Sequence, residues 1–160
     1  MQTIEGTTWP ARLRVALVVS RYNDFVTDRL LSGALAGLAS AGVASERLTV
    51  VRVPGAFEIP TAARQAAVSG RFDAVVCLGC LIKGATPHFE IIAAAVSQGL
   101  VSAAADTGVP MTFGVLTTNS AEEALERAVE GPSNKGWEAA LAALEMATIA
   151  EQLQTGRTPR

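Results

Sequence analysis

Leu78-Gly-Cys-Leu-Ile-Lys-Gly-Ala-Thr-Pro-His-Phe-Glu-Ile-Ile92 is the stretch around which the chain is organised. The run leading into it, residues 74–80, is continuously apolar, as a strand covered on both faces must be. A loop with Lys83 and Gly84 follows. Thr86 and Pro87 then read as the N-cap and first position of a helix, because a threonine hydroxyl accepts from first-turn amides and proline lacks the donor that would be orphaned there. Strand, short loop and helix in that order make half of a βαβ crossover. The arrangement places His88, the only histidine of the chain, in the first turn of a helix. Free N–H groups and the positive end of the helix dipole suit the amides around Gly84, Ala85 and Thr86 to a phosphate or other anion. Histidine is the side chain whose ordinary titration lies nearest neutral pH, which suits proton transfer. Taken alone, a first-turn histidine is more often an ordinary polar residue.

The same alternation continues to both sides. Residues 14–19 read as a first strand, followed by the loop Ser20-Arg21-Tyr22-Asn23. Residues 24–41 form a helix with Leu31, Leu35 and Leu38 on one stripe, stopped by Gly42. A second strand, residues 48–53, ends at Pro54-Gly55, and a helix over residues 58–69 ends at Gly70. The helix opened by Thr86 runs to about residue 107, and residues 111–116 form the fourth strand. Ser120 with Glu123 makes a capping box into a short helix through Ala128. After a break at Gly131-Pro132-Ser133, residues 135–154 form the last helix, with Leu141, Leu144 and Thr148 on a common face.

Strands and helices in this alternation require right-handed crossovers and a parallel sheet covered on both sides. The expected fold is therefore α/β: a three-layer αβα sandwich with a flavodoxin-like four-stranded parallel sheet in the order 2-1-3-4. Ligands in such sheets bind beyond the carboxyl ends of the strands, at the switch between strands 1 and 3. One domain is expected over residues 1–160, with residues 1–13 an extended N-terminal arm and residues 155–160 a frayed tail. The arm is available to pair with a neighbouring subunit's sheet, although Pro10 removes one donor from any ladder.

Composition narrows the function. A formal charge of -2 argues against a nucleic-acid partner, which would call for a basic face. Apolar residues make up 49% of the chain, a surplus that points to subunit interfaces, and no segment reads as a membrane span: residues 15–19 are too few, and residues 91–105 are interrupted by Ser97, Gln98 and Ser102. No secretory signal is recognisable at the start, so the cytoplasm is the expected location. Cys77 and Cys80 fall within and at the end of a strand, where they read as buried reduced thiols rather than a redox pair. With one histidine besides these, a transition-metal site is not expected.

The loops after the four strands fall on one edge of the sheet. Tyr22 offers a flat face to a planar heterocycle, or is an ordinary surface aromatic. Glu58 can accept hydrogen bonds from a polyol, or is a carboxylate favoured at a helix start. Arg127 can clamp a phosphate bidentately, or is a helix C-terminal cation. Lys83 and Lys135 read most simply as solvated. Dinucleotide and P-loop glycine motifs are absent from the sequence, and no acyl-transfer triad is laid out. These features allow an acid/base enzyme acting on a small phosphorylated substrate, without naming it.

Gly55-Ala56-Phe57-Glu58-Ile59-Pro60, then residues 79–89 as GCLIKGATPHF, Gly114-Val115-Leu116-Thr117-Thr118, Glu126-Arg127-Ala128 and Asn134-Lys135-Gly136 together resemble the 6,7-dimethyl-8-ribityllumazine synthases, over residues 14–153. The resemblance implies a transferase of riboflavin biosynthesis. It would condense 5-amino-6-(D-ribitylamino)uracil with 3,4-dihydroxy-2-butanone 4-phosphate, releasing phosphate and water, without metal or organic cofactor. It implies that Tyr22 stacks on the pyrimidine, that Ala56, Phe57 and Glu58 hold the ribityl chain, and that Cys80, Leu81 and Ile82 meet the ring through their main chain. Ala85, Thr86 and Arg127 would bind the phosphate, and His88 would transfer protons.

The resemblance further implies a homopentamer with sites between neighbouring subunits, Phe113, Arg127 and Lys135 coming from the neighbour. Twelve pentamers in an icosahedral shell stay open, with Pro10 leaning towards the free pentamer. Lys83 stands where arginine is common in the family, Glu90 where aspartate is common, and Val129-Glu130-Gly131-Pro132-Ser133 departs from the usual glycine-rich loop. A signalling receiver of the same topology is excluded, because Ser20 and Gly79 occupy the positions where it needs acidic residues. A lumazine- or flavin-binding homologue without turnover is the remaining rival.

Overall fold

The computed structural model describes residues 1–155. Four parallel strands, β1 (Val15–Ser20), β2 (Leu48–Val53), β3 (Ala74–Ile82) and β4 (Met111–Thr118), form one sheet in the order β2-β1-β3-β4. The helices are α1 (Asp24–Ser40), α2 (Ile59–Val68), α3 (His88–Thr107), α4 (Ala121–Glu126) and α5 (Lys135–Thr155), with 3-10 turns at Ser45–Arg47 and Ala56–Glu58. The expected tail, residues 155–160, lies outside the described residues except for Thr155, which still belongs to α5.

Side chains alternate across the strands and divide the core in two. Val15, Leu17 and Val19 of β1 and Ala74, Val76, Leu78 and Cys80 of β3 face α1 and α5. Ala16 and Val18, with Val75 and Cys77, face α2 and α3. Three residues apart, the two cysteines therefore lie on opposite faces and cannot bridge each other. Burial pushes the Cys77 thiol up to about 12 and the Cys80 thiol to about 11, against an ordinary value of 9.0. Iodoacetamide at pH 8 should leave both unmodified in the native protein and label both after denaturation, read by mass spectrometry. The linkage has a sign as well. Above pH 9 the unfolded chain ionises its thiols while the fold keeps them neutral, so their contribution to stability falls as pH rises from 9 towards 11 and 12.

Registers create the switch. β1 pairs with β3 from Val15↔Ala74 to Val19↔Leu78, and beyond that point β3 runs on beside β4 alone, to Ile82↔Thr118. Both β3 and β4 are two residues longer than their apolar runs suggest. Each supplies the other's ladder, and β3 continues past its last buried side chain, Cys80, while β4 ends on the buried Thr118.

Three expectations are corrected. Thr86 is not the N-cap of α3: the first helical residue is His88, Pro87 (φ −72°, ψ 4°) occupies the cap, and no side chain caps the end. The short helix α4 ends at Glu126 rather than Ala128, with Arg127 as its C-cap, although Ser120 does accept from the Glu123 amide at 3.2 Å. Finally, by length and composition alone α3 passes for a membrane span, its most apolar 18 residues averaging a hydropathy of 1.3 as a core helix's can, against the reading that polar residues interrupt it. Those residues are internally satisfied: the Ser97 hydroxyl lies 3.0 Å from the Ala93 carbonyl, and Gln98 donates to Ser102. One face of α3 packs on the sheet through Val96, Leu100 and Ala103. The remainder is half-buried or exposed, with Ile91, Ala94, Ala95 and Val101 among the exposed residues.

The N-terminal arm lies on its own subunit's helices from residue 5 onward. Gln152 donates to the Glu5 carbonyl at 2.8 Å, and the Trp9 indole donates to the Ala41 carbonyl at 3.0 Å. Gly6 is pressed so closely on α5 that a Cβ would lie 2.2 Å from the Glu145 carbonyl oxygen.

Candidate active site

The loops following β1, β2 and β3 meet where β1 stops and β3 continues. The Arg21 and Tyr22 amides donate to the Val53 and Pro54 carbonyls at 2.8 and 3.0 Å, which fastens the first loop to the second. Tyr22 itself stands exposed. Asn23, to which the sequence alone assigns no role, adopts the left-handed conformation (φ 63°, ψ 43°) and donates through Nδ2 to the Cys80 carbonyl at 2.9 Å. Its signal was an asparagine directly before a helix, since this residue tolerates positive φ better than most. The bond ties the first loop to the free stretch of β3.

Strand alternation sends the N–H and C=O of Ile82 to the same side as those of Cys80. That side lies past the last β1 residue in register with β3, Val19. Leu81, in register with Thr117, points its main chain the other way, to β4. Of the three β3 residues expected to offer main-chain groups to a heterocycle, Ile82 therefore presents them to the opening, Cys80 has its carbonyl engaged by Asn23, and Leu81 belongs to the ladder.

On the β2 side, Ala56 is buried while Phe57 and Glu58 are exposed on the 3-10 turn, and the Glu58 carboxylate folds back over Gly55. Residues 83–88 all lie at the surface. Ala85 and Thr86 precede the uncapped start of α3, whose first amides lack a side-chain acceptor. His88 is exposed there and makes no side-chain hydrogen bond or ion pair among the described residues. Lys83 stands 3.8 Å from Glu90, so the two departures from the family pattern face each other.

Phe113, Arg127 and Lys135 are brought together elsewhere. They line an open cavity of about 460 Å³ along β4 and the start of α5, with Glu138 and Ala139, and none of residues 83–88 reaches it. Arg127 uses one N–H on the Glu123 carbonyl at 2.9 Å, leaving most of its donor fork for a ligand, and Lys135 pairs with Glu138 at 2.8 Å. The expected site residues thus fall into two groups on one subunit.

Residues 12–151 match the sequence profile of the 6,7-dimethyl-8-ribityllumazine synthases. The chain belongs to this family. The 6,7-dimethyl-8-ribityllumazine synthase of Syntrophus aciditrophicus (strain SB) is 50% identical over 149 residues, 93% of this chain and 97% of the relative. That of Desulfatibacillum aliphaticivorans is 47% identical over 151 residues, covering 94% and 97%, and that of Chlorobaculum parvum 47% over 153 residues, covering 96% and 98%. Parallel strands in the order β2-β1-β3-β4, covered by helices on both faces, are the fold expected from the alternation of strands and helices, and they are consistent with lumazine synthase.

Proposed function

We infer that the chain catalyses the condensation of 5-amino-6-(D-ribitylamino)uracil with 3,4-dihydroxy-2-butanone 4-phosphate to 6,7-dimethyl-8-ribityllumazine, releasing phosphate and water, within riboflavin biosynthesis. Family membership carries this reading, and the site offers chemistry to match. Tyr22 and Phe57 stand exposed on the loops after β1 and β2, and Asn23 fastens the first of these loops to β3 two residues before Ile82, a setting for a planar pyrimidine with stacking on one side and hydrogen bonds at its edge. Ala56, Phe57 and Glu58 take the ribityl chain. The uncapped amides of α3, next to Ala85 and Thr86, take the phosphate together with Arg127.

His88 moves the protons. The amine attacks the ketone carbonyl, and proton transfer to the departing oxygen gives the imine and water. Removal of the proton on the hydroxyl-bearing carbon beside the imine then expels phosphate and leaves an enol, which takes up a proton to become a ketone; the second amine adds to that carbonyl and its oxygen departs as a second water, closing the ring. An exposed imidazole with no competing partner among the described residues can serve each step.

The working unit is a homopentamer. The unclothed apolar face of α3 asks for cover by other copies, and only 17% of its most apolar 18-residue stretch is buried within the subunit. The two groups of site residues are completed when the β4 cavity of one subunit, with Phe113, Arg127 and Lys135, meets the His88 loop of the next. Two soluble metabolites as substrates suit the cytoplasm.

Purified protein mixed with both substrates should form the lumazine and phosphate in equal amounts, well above the rate without enzyme, followed by absorbance and a phosphate assay. A folded protein that binds a lumazine but turns over only at the background rate would sink the reading and leave a binding protein.

A further inference from the structure

Asn134 is 1% exposed, and every hydrogen-bonding valence of its side-chain amide is used. Nδ2 donates to the Arg29 carbonyl of α1 at 3.2 Å and to the Val129 carbonyl at 2.9 Å. Oδ1 accepts from the Gly136 and Trp137 amides at 2.7 and 3.3 Å, capping α5. Turning the amide over would set oxygen against two carbonyls and N–H against two N–H groups, so its orientation is fixed by its surroundings. Gly33 of α1 leaves the necessary space, since a Cβ there would lie 2.2 Å from Asn134 Cγ.

The segment so held is the one between Arg127 and Lys135. The Lys135 amide donates to the Arg127 carbonyl at 2.9 Å, and the Asn134 amide to the Gly131 carbonyl at 3.0 Å, closing residues 127–135 into a small ring of backbone. Asn134 is that ring's side-chain link to α1. Among the described residues, ring and α1 share no other hydrogen bond; Ala128 of the ring is buried in the core that α1 shares, whereas Val129 and Glu130 are exposed and bring little packing.

We propose that Asn134 is a positioning residue for the phosphorylated substrate, setting Arg127 and Lys135 against the sheet by fastening their loop to α1. The proposal rests on the reading that Arg127 binds that substrate's phosphate. It separates two duties of one side chain: the oxygen caps a helix, and the nitrogen aims a binding loop.

Asn134→Ser keeps a capping acceptor and replaces the two amide donors with one hydroxyl on a shorter side chain, and Asn134→Asp keeps the volume and the capping acceptor while removing both donors. Steady-state kinetics with each substrate varied in turn, together with inhibition by inorganic phosphate, read the difference. In either variant the KM for the phosphorylated substrate and the inhibition constant of phosphate should rise about tenfold, below the ~10²-fold that a 1 Å misplacement can bring. The KM for the ribitylaminouracil should stay within about twofold of the native value.

Arg127→Ala serves as the reference. If it leaves both phosphate constants unmoved, the assignment of Arg127 fails and the proposal falls with it. If Arg127→Ala moves them and folded Asn134 variants do not, or if both KM values rise together, Asn134 serves the fold alone. Failure of both variants to fold overturns the proposal in the same way.

Discussion

His88→Ala should lower kcat by about 10²–10⁴-fold and leave measurable turnover, because acid/base assistance is commonly of that size. Holding two reactants in a productive geometry supplies ~7–11 kcal/mol in favourable cases, and that part survives the substitution. The structure isolates the test. His88 is exposed at the first position of α3, with no side-chain partner among the described residues, so its removal takes nothing from the fold. Stability should change by no more than about 0.5 kcal/mol, as for other surface substitutions. Initial rates of lumazine formation against the rate without enzyme, with the melting temperature alongside, measure both. Turnover indistinguishable from background, with both substrates still bound, would show that the histidine, and not positioning, carries the acceleration.

The residues that made the fold legible are those whose burial is dictated by period. Apolar runs covered on both faces mark β1 and β3, and the alternation of four strands with helices points to the order β2-β1-β3-β4 that the sheet adopts. The ends were less legible because hydrogen bonds, not hydrophobicity, decide them. β3 passes Cys80 to Ile82 since β4 is there to pair with it, and a partner strand is invisible in a local window. Thr86 looked like a cap by residue type. A cap needs the helix to begin one residue later, and the Pro87 backbone begins it two later.

Site residues divide in the same way. His88 and Arg127 are candidates by type, each with an ordinary alternative, and the family resemblance gives them their expected roles. Asn23 and Asn134 did not stand out, because their work is to satisfy main-chain groups 57 and 105 residues away. Only the folded chain brings those groups within reach. The exposed face of α3 is hidden differently: Ser97, Gln98 and Ser102 read as interruptions one by one, yet they bond within the helix and leave the stretch apolar on average.

Arg127→Ala should reduce kcat/KM for the phosphorylated substrate by about 10²-fold, the size expected when charge-assisted bonds worth ~3 kcal/mol are lost. Its larger use is in combination with His88→Ala. Within one subunit Arg127 lines the cavity along β4, from which residues 83–88 are absent, so a site that uses both groups is best assembled from two copies. In a mixed ring, a subunit bearing Arg127→Ala still offers His88, and a neighbour bearing His88→Ala still offers Arg127. Where the first meets the second in the right order, the site is native. Random co-assembly of equal amounts in a closed ring, with each site shared by two neighbours, makes about one quarter of the sites native whatever the number of subunits. Two nearly inactive proteins, unfolded and refolded together, should therefore recover about a quarter of native specific activity by this pairing. Mixed after separate assembly, without subunit exchange, they should recover none. Co-assembled rings no more active than the mean of the parents would place His88 and Arg127 in a site made by one subunit, and the apolar face of α3 would then be covered for reasons unconnected with catalysis.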